Sequence, residues 1–138
     1  MIHRDLKIGR WIVDFLFAED SFDDELVLQY LYDADASFAI LKRVSEMMEE
    51  NRDNTGFTYT NPSLMQAVVV VGPVSSGKEF INTLVHEVHH LAVAIASNLG
   101  IDIEGETPAY LAGDSARELA DIICKLGCSS SNFDNETF

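Results

Sequence analysis

His86-Glu87-Val88-His89-His90 holds the residue types with the most chemistry in this chain, spaced as H-E-x-x-H. On a helix, four residues turn the side chain by about 400°, so His86 and His90 leave nearly the same face one turn apart. Two imidazoles placed this way can grip one zinc ion at about 2.0–2.1 Å each. Glu87 then stands beside the ion, where a carboxylate can take the proton of a zinc-activated water. His89 points about 100° away from His90 and reads as a neighbour of the pair rather than a ligand. Without a metal, the same residues reduce to a solvated histidine couple and an ordinary surface acid.

A hydrolytic zinc site takes three protein ligands and leaves the fourth position open. Downstream, Ile103-Glu104-Gly105-Glu106-Thr107-Pro108-Ala109-Tyr110-Leu111 offers two carboxylates, Glu104 and Glu106. Pro108 and the apolar residues after it put Glu106 at the mouth of a new helix, a firmer base for a ligand than Glu104 before Gly105. A helix start also favours a carboxylate through its dipole, so a purely electrostatic role competes. Tyr110, one turn beyond Glu106, can donate to a developing oxyanion or simply pack.

The metal motif followed by Glu106-Thr107-Pro108-Ala109-Tyr110 resembles the H-E-x-x-H zinc metallopeptidases whose third ligand is a glutamate on a following helix, the gluzincin-like arrangement. It looks most like the short peptidase-like proteins of phage and bacterial genomes that carry Glu-x-x-Ala-Tyr after the metal helix. The resemblance covers roughly residues 55 to 126 and leaves the first fifty unmatched. It implies zinc held by His86, His90 and Glu106, Glu87 as general base, and a peptide or protein substrate.

The elements that must position these residues are legible in outline. Ser75 or Ser76 can cap a helix over 78–99, free of proline and internal glycine and stopped by Gly100. Phe80, Leu84, Val88, Leu91 and Ile95 give it a face to bury. Before it, Gly56-Phe57-Thr58-Tyr59-Thr60 and Ala67-Val68-Val69-Val70-Val71 read as strands joined by the turn Asn61-Pro62-Ser63. Residues 8–17 are strand-like. Asp23-Asp24 opens a helix that breaks near Asp33-Ala34-Asp35 and ends around Glu50. A last helix runs from Pro108 to about Leu126, packing through Ala109, Leu111, Ala112, Ala116, Leu119, Ala120 and Ile123. On it, Asp114, Arg117 and Asp121 can reach the histidines with supporting hydrogen bonds or stay solvated. The expected architecture is α+β: a minimal zincin-like domain over 1–128, its small antiparallel or mixed sheet backed by a helix. Residues 129–138 form a polar tail.

Gly72-Pro73-Val74-Ser75-Ser76-Gly77-Lys78 matches a phosphate-binding loop, but Glu79 stands where the loop needs Ser or Thr for Mg²⁺. Pro73 also removes one backbone N–H from the cradle. The segment reads better as a strand-to-helix turn with a serine cap.

The chain has 138 residues, 47% of them hydrophobic, with mean hydropathy +0.05, enough for one globular core. Nine Lys and Arg against 23 Asp and Glu give a net charge of −14, which disfavours nucleic acid and anionic membranes as partners. It would favour cationic substrates, although solubility explains it more simply. No membrane span or secretory signal is visible, so a cytoplasmic location is expected. Cys124 and Cys128 are too few for a four-cysteine zinc site and are expected reduced. These readings point to a zinc metallopeptidase. The rivals are a non-catalytic metal-binding or interaction module of phage origin and a nucleotide-binding domain on Gly72 to Lys78.

Overall fold

The computed structural model describes residues 1–127, so Cys128 and the expected tail lie outside the described residues. The elements are β1 (Ile2–Ile8), β2 (Trp11–Phe17), α1 (Asp24–Asp33), α2 (Phe38–Glu50), β3 (Gly56–Asn61), β4 (Gln66–Val71), α3 (Gly77–Asn98), α4 (Glu106–Glu118) and a short α5 (Ala120–Ile122). A π-type turn, Ile123–Gly127, follows. The class is α+β, with a four-stranded mixed sheet in the order β1-β2-β4-β3. The hairpins β1–β2 and β3–β4 are antiparallel, and β2 runs parallel to β4, with Phe15 opposite Val69.

Strand β4 is apolar on both faces, and β2 is apolar on one face and adds Leu16 to the other, which is why the sheet needs a helical layer on each side. Val13, Phe15, Phe17, Val69 and Val71 pack under α3 together with Phe80, Leu84, Val88, Leu91 and Ile95. Leu16, Val68 and Val70 face α1 and α2, where Val27, Leu31, Val44 and Met48 cover them. The sheet is thus backed by α1 and α2 on one face and by the helix that carries the histidines on the other.

The region before Trp11 also departs from expectation. Residues 2–8 form a strand of their own, turning at Gly9, whose φ of +61° suits glycine. Ile2, Leu6 and Ile8 point to the core, while charged residues occupy much of the rest, as an outer strand tolerates. The helix break falls as expected: Ala34 caps α1, Asp35 takes φ +61°, and Ser37 caps α2 by accepting from the Ile40 amide.

Helix α3 is capped by Ser76, whose hydroxyl accepts from the Glu79 amide at 3.2 Å, and Gly100 ends it at φ +71°. The following helix is shorter than predicted. Ser115 donates back to the Leu111 carbonyl at 2.8 Å, a bond that bends helices, and α4 ends three residues later. Ala109 and Ala120 are exposed rather than packed; Leu119 and Ile122 enter the core.

Candidate metal centre and active-site cleft

His86, Glu87 and His90 lie in the middle of α3, which rests against both β3 and β4. The same apolar periodicity that buries Leu84, Val88 and Leu91 leaves His86 and His90 at the solvent side. The two rings meet edge to face, with Nε2 of His86 and Nε2 of His90 only 3.1 Å apart. Glu87 is 5% exposed, an uncommon state for a carboxylate and one that requires partners.

Its partner comes from the sheet. The Thr58 hydroxyl on β3 stands 3.0 Å from Glu87 Oε1, to which it donates, and 3.1 Å from the Glu87 main-chain oxygen. The other carboxylate oxygen, Oε2, lies 4.0 Å from His86 Nε2. One oxygen is therefore held by the strand, and the other remains on the histidine side.

Gly56 permits this closeness. A Cβ there would stand 2.7 Å from the Val70 carbonyl oxygen, 3.1 Å from Thr83 Cγ2 and 3.2 Å from Glu87 Cγ. Gly56→Ala is accordingly expected to lower stability by about 1–3 kcal/mol, measured by urea unfolding, because the backbone oxygen cannot yield. Gly113→Ala is the control. Nothing lies within 4 Å of its Cβ position in α4, so the alanine should raise stability by about 0.5–1 kcal/mol. Neither Thr58 nor Gly56 had a functional signal in the sequence, since their partners lie about thirty positions away on another element.

A cleft of about 400 Å³ opens beside the motif, lined by Met47, Arg52, Asn54, Gly56, His86 and Glu87 among others. The expected third ligand is not part of it. Glu106 is the first residue of α4, exposed, and among the described residues no three His, Cys, Asp or Glu side chains are grouped to hold a metal ion. The reason is where α4 packs. Ala112 and Ala116 share an apolar groove with Val85, Val88 and His89, which lie roughly 60–160° around α3 from His86. His89 thus sits on the α4 side, its ring 6.2 Å from that of His90. Tyr110 is 66% exposed.

Asp114, Arg117 and Asp121 have their partners away from the histidines among the described residues. Arg4 of β1 donates to Asp121 at 3.0 Å, and this hydrogen bond holds its carboxyl below the usual value. Arg117 pairs with Asp114 and Glu118. These charges serve the β1 side of α4.

The phosphate-loop segment is organised around its own turn. Asn54 accepts from the Ser75 amide at 2.9 Å and donates to the Ser75 hydroxyl, while Ser76 is occupied as the helix cap. Cys124 is a free, exposed thiol. No helix among the described residues is long and apolar enough to cross a membrane. Comparison of the chain with protein-family models, curated proteins and solved structures returns no match.

Proposed function

We propose that the chain is a zinc-dependent hydrolase of peptide bonds, with His86, His90 and Glu106 as metal ligands and Glu87 as general base. The observation that carries this reading is the 3.1 Å between the two Nε2 atoms. Nitrogens bound to one tetrahedral zinc at about 2.0–2.1 Å lie roughly 3.3 Å from each other. The pair fits that ion after shifts of a few tenths of an ångström. When bound, zinc would supply Lewis-acid polarisation of a carbonyl oxygen and of a water.

The remaining chemistry belongs to the chain. Thr58 orients Glu87 through Oε1, which leaves Oε2 to accept a proton on the histidine side and return it to the leaving amine. Strand β3, which carries Thr58, is an outer strand, so one side of its backbone has no strand neighbour among the described residues. An extended peptide can pair with such an edge through main-chain hydrogen bonds.

Protein purified without a histidine tag and dialysed against zinc should carry about one zinc per chain by mass spectrometry, and His86→Ala should lose it. A metal-free wild-type chain under those conditions defeats the proposal.

A further inference from the structure

Two clefts adjoin along β3. The first is the 400 Å³ cleft at His86 and Glu87, with Arg52 in its lining. The second, about 310 Å³, lies between α2 and β3 and is lined by Ile40, Arg43, Val44, Phe57 and Tyr59 with Thr58; Met47 is common to both. Of the fifteen residues that line them only Glu87 is acidic, and its carboxylate already accepts from Thr58. The chain has just nine Lys and Arg, and two of them are here.

The other surface depressions differ. The cleft beneath β1 and α4 sets Asp5, Asp114 and Glu118 against Lys7 and Arg117, and the one on α1 and α2 sets Glu46 and Glu49 against Lys42. Of these clefts among the described residues, only the pair along β3 carries more Arg and Lys than Asp and Glu in its lining, Arg43 and Arg52 against Glu87.

Both arginines are available. Arg43 is exposed and has no ion-pair or hydrogen-bond partner among the described residues. Arg52 pairs with Glu50 at 2.9 Å, but the two side chains are 71% and 56% exposed, and such surface pairs are readily exchanged. A guanidinium binds a carboxylate through two parallel hydrogen bonds. The net charge of −14 argues for cationic ligands at long range. In physiological salt, however, charges beyond about 8 Å are largely screened, so contact with Arg43 and Arg52 decides.

We propose that the double cleft selects extended peptides bearing acidic side chains, one carboxylate meeting Arg52 near the histidine pair and another meeting Arg43 farther along β3. The six residues of β3 span about 20 Å, room for an extended peptide of five or six residues. The placement of the peptide rests on the proposed hydrolase reading.

The test uses the zinc-loaded Glu87→Gln chain and acetylated, amidated octapeptides alternating Ala with Glu, Gln or Lys, titrated calorimetrically. The Glu peptide should bind most tightly and the Lys peptide least. Arg43→Gln with Arg52→Gln should weaken the Glu peptide roughly tenfold, each exposed pair being worth about two- to fivefold, and leave the Gln peptide nearly unchanged. Equal or tighter binding of the Lys peptide, an unchanged Glu peptide in the double variant, or no Glu-peptide binding at roughly millimolar concentration overturns the inference. Cleavage by the wild-type chain separates the two claims. If the arginine-dependent Glu peptide binds but stays intact, selectivity stands and the hydrolase reading fails. If all three peptides are cut equally with or without the arginines, hydrolysis stands and selectivity fails.

Discussion

Glu87→Gln is expected to keep zinc bound while cutting peptide hydrolysis by about 10²–10⁴-fold, the usual worth of a positioned general base. Glutamine preserves the volume that a 5%-exposed site demands, and its carbonyl oxygen can still accept from the Thr58 hydroxyl. What it lacks is an oxygen on the histidine side that can take a proton. Because Glu87 is not one of the two facing imidazoles, zinc content measured by mass spectrometry should match wild type. Once a cleaved peptide is in hand, an unchanged rate for the Gln variant would show that the proton goes elsewhere.

Glu106→Ala should weaken zinc binding roughly 100-fold or more, since even residues that merely support a ligand are worth about 10- to 100-fold. Glu104→Ala should change it by no more than about twofold, as for an ordinary exposed substitution. The two carboxylates differ in how their backbone is held. Glu104 sits in a turn fixed by Asp102, whose carboxylate accepts from the Glu104 amide at 2.9 Å and whose carbonyl accepts from the Gly105 amide. Glu106 is the first residue of α4, whose first turn is anchored by the buried Pro108, so on the proposed reading its carboxylate is presented from a helix rather than from a loop. Competition titrations with a zinc chelator give the order. If Glu104→Ala or His89→Ala proves the more damaging, Glu106 is not the third ligand.

What could be read from the residues was mostly local. The buried face of α3, its serine cap, the break between α1 and α2 and the facing of His86 with His90 all follow from spacing within one segment. The strand Ile2–Ile8 escaped notice because an outer strand carries charges that blur its alternation. The second helical layer could have been inferred from Val68-Val69-Val70-Val71, since a strand buried on both faces reads as an unbroken apolar run. The roles of Thr58 and Gly56 could not, because only the paired sheet brings β3 against the middle of α3. The same holds for Arg43 and Arg52, which no local pattern connects to the histidines. The packing of α4 on the Val85 and His89 side of α3 likewise depends on tertiary contacts. That packing is why Glu106 does not group with the pair.

The two histidines are four positions apart, whereas Thr58 and Glu87 are separated by 29. On the proposed reading, metal affinity and base alignment would therefore draw on different parts of the folding free energy. A chain whose sheet has come apart still presents an i, i+4 imidazole pair wherever residual helix survives, and so retains some hold on zinc. Such binding to the denatured ensemble reduces the stabilisation that the metal gives the native one. The carboxylate's orientation has no such fallback, because it exists only after β3 has closed its long-range pairing with β4 and docked on α3. On the proposed reading, a molecule with a damaged sheet would still take up zinc and yet be catalytically silent, so rate and metal content would part company in destabilised variants.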